Sequence, residues 1–248
     1  MKNNNRGLII TLIILLIIVV LLLTGLMVFV ISGQPYKVID FISDDKIVYD
    51  ESFDKNEINA LVIHSDAGDI DIKPSPDNTI RIVAKGRKAN NFSVNNDNGN
   101  AVISNKSTSR PNISLFSLNR NNIVADIDIY LPNDFSNVDI TSKYGDVTID
   151  GEFSGELKVQ NDFGDIEADV LSGQFELHTD CGNIEIEKID ISSDSTATTD
   201  MGDIEIEYTN DIRIDADTSL GERKINEKDY KSDTLLTLKT DMGDIEVN

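Results

Sequence analysis

The pentad Gly-Asp-Ile-x-Ile, whole or in close variants, recurs along this chain at a nearly fixed interval. That recurrence restricts the fold more than any other feature. Its glycines are Gly68, Gly145, Gly164, Gly182, Gly202, Gly221 and Gly243. From Gly145 onward the steps are 19, 18, 20, 19 and 22 residues. An interval of that size, repeated without a break, marks a solenoid in which every coil stacks on the one before.

Aligning the seven units on glycine shows the mechanics. Seven residues before it stand Leu61, Val138, Leu157, Phe175, Ser195, Ile214 and Leu236; five before it stand Ile63, Ile140, Val159, Leu177, Ala197, Ala216 and Leu238. Two residues after come Ile70, Val147, Ile166, Ile184, Ile204, Arg223 and Ile245; four after come Ile72, Ile149, Ala168, Ile186, Ile206, Ile225 and Val247. Period-two alternation on both sides of a tight glycine corner predicts two short strands per coil, each with one buried face. Stacking like positions ~4.8 Å apart must then build the core, since one coil is too small to bury one. The glycine is expected to adopt positive φ at the corner. Small polar residues three positions earlier (Ser65, Ser142, Asn161, Thr179, Thr199, Thr218, Thr240) are expected to bond between coils. Ala67, Tyr144, Phe163, Cys181, Met201, Leu220 and Met242, just before the glycines, read as a second apolar column. The pattern predicts an all-β parallel β-helix; a twisted antiparallel meander is the alternative, because alternation does not fix strand direction.

The regular coils begin near residue 136. Between Gly68 and Gly145 lie 77 residues, close to four repeats, which leaves room for degenerate coils or a separate β subdomain. Strands are expected at Ile80–Ala84, Ala101–Ser104 and Val124–Leu131, with loops over 85–100 and 105–122. One regular unit departs: Arg223 stands where the other six carry Ile or Val, and the longest interval follows it. A bulged coil or projecting loop is expected there.

Residues 8–31 carry no charge over 24 positions, a run of roughly 36 Å as a helix, enough to cross a ~30 Å hydrocarbon core. A cleaved signal would have an apolar core of ~7–15 residues before a small-x-small site, so a retained anchor is expected. The resulting division is a cytoplasmic N-terminus over 1–7, a transmembrane helix over 8–31, a stalk over 32–59 with a strand at Lys46–Tyr49, and an extracytoplasmic solenoid over 60–248. The charge bias setting this orientation is thin: Lys2 and Arg6 precede the span, but Lys37 and Lys46 lie near its far end. Beyond the span, 20 basic residues face 44 acidic ones, a net of about −24. Such a surface excludes nucleic acid as a partner and favours cations or cationic partners. Cys181 is the sole cysteine, so no internal disulfide forms, and a small buried hydrophobe is expected there.

Acidic side chains line the repeats. Asp69, Asp146, Asp165, Asn183, Asp203, Glu222 and Asp244 follow the glycines, and Asp66, Asp162, Asp180, Asp200 and Asp241 sit two residues before them. The expected role is acceptance of backbone N–H groups at each residue's own turn, with weak calcium binding as the alternative. Catalytic carboxylate pairs occur once, at a set separation and in unequal environments; these recur with the fold. No catalytic, cofactor-binding or metal site is assigned, and an enzyme is not expected. His64 and His178 lie too many units apart to share a metal. Arg81, Lys85, Arg87 and Lys88 read as a solvated basic spot.

The run DIDIYLPNDFSNVDITSKYGDVTIDGEFSG, with the T-D-x-G-D-I-E-I repeats after it, resembles bacterial envelope proteins grouped as "putative adhesins" with β-strand repeats. The resemblance covers about Ile58 to Asn248. It implies a single-stranded right-handed β-helix behind an N-terminal membrane segment, and it implies no catalytic residues. The expected function is a non-enzymatic envelope binding or scaffolding module in the cell membrane, contacting glycan, wall polymer or protein. The alternatives are a regulatory accessory of an envelope-stress system and, further off, a carbohydrate-active enzyme. Because the last strand ends at Val247-Asn248, an uncapped C-terminal coil open to self-association is also expected.

Overall fold

Alternating apolar and polar residues on either side of each Gly-Asp corner produce a strand, a sharp turn and a second strand. The computed structural model describes residues 46–86, 92–106, 126–226 and 232–248, all within one unit, Asp45–Asn248. The expected cytoplasmic segment and transmembrane helix therefore lie outside the described residues. Among those described, no helix is long and apolar enough to cross a membrane.

The strands in chain order are β1 (Ile47–Phe53), β2 (Ala60–Ser65), β3 (Ile70–Pro74), β4 (Ile80–Lys85), β5 (Phe92–Asp97), β6 (Asn100–Asn105) and β7 (Asp126–Leu131). The regular coils follow as β8 (Asn137–Tyr144) with β9 (Val147–Phe153), β10 (Glu156–Phe163) with β11 (Ile166–Leu171), and β12 (Phe175–Cys181) with β13 (Ile184–Ile189). Next come β14 (Ser195–Met201) with β15 (Ile204–Thr209), β16 (Arg213–Leu220) with β17 (Arg223–Ile225), and β18 (Leu235–Met242) with β19 (Ile245–Val247). The strand before each corner joins one sheet, in the order β5-β6-β2-β8-β10-β12-β14-β18-β16; the strand after it joins the other, in the order β1-β4-β7-β3-β9-β11-β13-β15-β19-β17.

Neighbouring coils pair parallel and in register, so Leu157 lies opposite Val138 on one side and Phe175 on the other. The antiparallel meander is thereby excluded for the coils. Inward side chains of both sheets form one continuous core containing the aligned columns read from sequence. Leu61, Ile140, Leu177, Ile184 and Leu238 are completely enclosed.

The corner explains the motif. Each of its glycines from Gly145 onward lies so close to the coil beneath that an added β-carbon would fall on a backbone carbonyl. At Gly182 that atom would sit 2.0 Å from the Gly164 oxygen, and at Gly202 1.9 Å from the Gly182 oxygen. The positive φ expected at the corner is present at Gly68 (95°), Gly145 (126°) and Gly164 (137°), among others, and the close approach adds to it at every corner from Gly145 onward. Side chains then satisfy the corner backbone between coils. The Thr179, Thr199 and Thr240 hydroxyls donate to the carbonyls of Gly164, Gly182 and Gly202 at 3.0, 2.9 and 3.0 Å.

The Asp or Asn after each corner glycine except Gly221 accepts through Oδ1 from the backbone N–H of its counterpart in the next coil, not from its own turn as expected. The chain of bonds runs Asp69 to Asp126, Asp146 to Asp69, Asp165 to Asp146, Asn183 to Asp165, Asp203 to Asn183, Asp244 to Asp203 and Glu222 to Asp244, donor first, over 2.7–3.1 Å. Asp126 joins this ladder without any preceding glycine.

Both ends of the stack depart from chain order. The Gly221 coil, β16 and β17, is outermost, and the Gly243 coil is inserted between it and β14–β15. The C-terminal strands are thus paired on both sides, β18 with β14 and β16, and β19 with β15 and β17. The uncapped C-terminal coil expected from sequence is not formed. Leu236 and Leu238 are fully enclosed, which suits an inner position, whereas Arg223 is exposed and its Nη1 donates to the Ala216 carbonyl at 2.8 Å. That arginine makes the Gly221 coil fit to end the core. No bulge marks its strands, whose register with β18 and β19 is regular; the projecting loop expected as the alternative falls largely on residues 227–231, outside the described residues.

At the other end, β6 and β7 form one further coil outside β2 and β3. Strands β4 and β1 follow β7 antiparallel, and β5 closes the other sheet antiparallel to β6. Ile47–Phe53 of the expected stalk thus enters a sheet, where a strand at Lys46–Tyr49 was expected. Strand β5 falls where a loop was expected. The missed signal is Asn98-Gly99, both at positive φ (54° and 86°), a two-residue hairpin turn between alternating strands.

Gly182→Ala should lower stability by about 3 kcal/mol or more in urea unfolding, because rigid backbone must move. Gly151→Ala, whose β-carbon would meet only the Pro74 side chain at 3.5 Å, should cost about 1–2 kcal/mol for its left-handed φ. Asp165→Asn should stay within about 0.5 kcal/mol of wild type, as Asn183 already serves in the ladder. Asp165→Ala should cost about 1–2 kcal/mol by stranding the Asn183 N–H.

Candidate functional site

Two surfaces stand out from the coil geometry. The first is the outward face of the second sheet. Parallel in-register pairing puts Thr148, Glu167, Glu185, Glu205 and Glu246 in one column. Beside them Asp150, Asp169, Glu187 and Glu207 line the same shallow trough of about 470 Å³. Burial, then repulsion from Glu167, Glu205 and Asp165, pushes the Glu185 carboxyl above its ordinary range. Toward the N-terminal end the same sheet is neutralised. Lys73 bridges Asp71 at 2.8 Å and Asp128 at 2.6 Å, and Lys85 pairs with Asp128 as well. Burial alone would raise the enclosed Asp128 carboxyl, but these two ammonium groups hold it below its usual value.

The second surface is the column just before the corner glycines. Sequence alignment marks it as apolar, and the structure shows that it faces solvent. In stack order it runs Tyr144, Phe163, Cys181, Met201, Met242 and Leu220. The five large members are 46–69% exposed and include most of the exposed large hydrophobic residues among those described. The corner reverses the chain before the next strand, so these side chains point outward where simple alternation would turn them in. Tyr144 and Phe163 stack with ring centroids 5.2 Å apart and planes within 8°. Cys181 is half-buried in this ridge, not a core residue.

Other sequence candidates disperse. His64 pairs in register with Thr141, two coils short of His178. His178 contacts Thr198 and Asp180, each at 2.9 Å. The basic spot is divided by internal partners: Arg81 binds both Asp50 carboxylate oxygens at 2.8 and 2.7 Å, and Lys85 faces Asp128. Arg87 and Lys88 lie outside the described residues. No group of three His, Cys, Asp or Glu side chains is arranged to hold a metal ion among the described residues. The ladder Oδ1 atoms are already committed to backbone donors.

Parallel coils closed by an acidic sheet face and an apolar corner define an all-β solenoid with two long repetitive surfaces. Residues 55–248 match the Toastrack DUF4097 family, and the chain belongs to it. No curated protein matches the chain. Two solved structures are similar, a "putative cell adhesion protein" from Clostridium sporogenes and a "putative adhesin" from Bacteroides fragilis. The first is 11% identical with a TM-score of 0.43, covering 82% of this chain and 99% of its own. The second is 15% identical with a TM-score of 0.44, covering 82% and 97%.

Because the Glu185 pKa is raised in the folded protein, protonation stabilises the fold. That gain is complete below the unfolded carboxylate pKa and is lost as pH rises through the folded value. Glu185→Gln should therefore be more stable than wild type at pH 7, by about 0.5 kcal/mol after solvent screening, and melt at a higher temperature. Thermal melts should show the difference closing toward about pH 4.

Proposed function

We propose that this protein is a membrane-anchored, non-catalytic binding module that displays its solenoid outside the cytoplasm. The observation that carries the reading is the repetition of surface chemistry. Carboxylates and apolar side chains recur once per coil along whole faces, which suits an extended partner better than a single substrate. Catalysis needs a singular constellation of unequal groups, and the acidic trough offers near-equivalent glutamates. The uncharged run over 8–31 supplies the single-pass anchor. The net charge of about −24 beyond it favours cationic protein or cation-bearing envelope polymer over anionic lipid.

Cys181 offers a direct test, since it is the only thiol in the chain. A membrane-impermeant maleimide should label the full-length protein in intact cells, and the protein should resist alkaline extraction from membranes. Labelling that occurs only after lysis would place the solenoid in the cytoplasm and overturn the orientation.

A further inference from the structure

We infer that the ridge Tyr144–Phe163–Cys181–Met201–Met242–Leu220 is a docking surface for a cationic amphipathic polypeptide segment. The occupant is one whose apolar side chains form a single row with Lys or Arg beside it. The inference rests on reading the domain as a binding module, and not on its anchor or orientation.

Six ridge positions, one per coil, span five steps of ~4.8 Å, or about 24 Å. A helix presents one apolar residue per turn on a given stripe, a rise of about 5.4 Å, close to the coil spacing. About four turns would cover the ridge. The surface is preorganised. The carbonyls of Phe163, Cys181 and Met201 accept from the N–H groups of Gly145, Gly164 and Gly182 at 3.0 Å each, and the two aromatic rings are already stacked. Little ordering remains to be done on binding.

Charge selects the partner. The residues preceding the six ridge members in sequence are Lys143, Asp162, Asp180, Asp200, Asp241 and Ser219, four of them acidic, and Lys143 is itself paired with Asp66 at 2.6 Å. Asp180 is bound by His178. Asp162, Asp200 and Asp241 make no salt bridge among the described residues. An apolar row bordered by such carboxylates matches basic groups flanking an apolar stripe. A second copy of this chain, an anionic lipid surface or a nucleic acid would set like charges against it.

The test uses the full chain in neutral-lipid nanodiscs, with empty nanodiscs as control. The probe is a fluorescent helix-forming peptide of about 18 residues carrying a leucine row flanked by lysines. Binding should weaken as salt rises, and it should slow alkylation of Cys181. The double substitution Phe163→Ser with Met201→Ser changes only exposed side chains. It should weaken binding about tenfold while the cooperative fold is kept, loss of the Tyr144–Phe163 stack lowering the melting temperature by only a few degrees. Asp162→Asn with Asp200→Asn and Asp241→Asn should weaken binding and flatten its salt dependence. The assignment is overturned by undiminished binding to the ridge double variant, by equal binding of a peptide with glutamates in place of the lysines, or by unaltered Cys181 alkylation. A dimer of the full chain that the ridge substitutions dissolve would instead make a second copy the occupant. Failure here leaves the maleimide result untouched; an occupied ridge that shields Cys181 in intact cells is told from a cytoplasmic solenoid by a high-salt wash before labelling, which restores labelling only in the first case.

Discussion

The fold depends on a single close approach, in which the carbonyl of one corner glycine occupies the space a β-carbon of the next would need. That contact lets successive corners stack at sheet spacing, so that both sheets continue in register through every coil. Once it is in place, backbone groups at the corner find partners in the adjacent coil. The glycine N–H donates one coil up, the threonine hydroxyl donates one coil down, and the aspartate Oδ1 accepts from the next aspartate N–H. Few corner groups are left to water, although Ser142 Oγ and Asn161 Oδ1 remain buried without a partner among the described residues.

The same geometry that satisfies the interior creates the exterior. In-register stacking repeats any outward residue as a row, so a weak preference at one position becomes a continuous band. On the second sheet the band is acidic, and its carboxylates repel one another wherever no lysine intervenes. At the corner the band is apolar. The protein tolerates both, which costs stability at the acidic face and leaves greasy side chains in water at the other.

Much of the coil was legible beforehand. Alternation about Gly68 and Gly145 located both strands, and the columns headed by Leu61, Ile63, Ile70 and Ile72, Arg223 excepted, supply much of the observed core. Ser65, Thr179 and Thr199 were correctly placed between coils, because small polar residues at a buried repeat position need bonding partners. The Asn98-Gly99 hairpin was also present to be read, but the Asn-rich segment around it masked the alternation of Phe92 and Val94. The ridge was recognised as an apolar column, but its emergence into solvent was not foreseen and Cys181 was expected to be buried, since period-two alternation loses its meaning where the chain turns.

From its amino-acid order alone this chain determined the repeat length, the two strands per coil and which side chains face inward, because these follow from local alternation and from the absence of a β-carbon at each corner. The stacking order of the coils was decided only in three dimensions. So were the capping role of Arg223, the enclosure of the Gly243 coil and the emergence of the ridge into solvent. Each of these depends on which coil lies beside which. The inner place is held by the coil that carries Leu236 and Leu238, and the outer by the coil with Arg223, an order that local alternation does not encode.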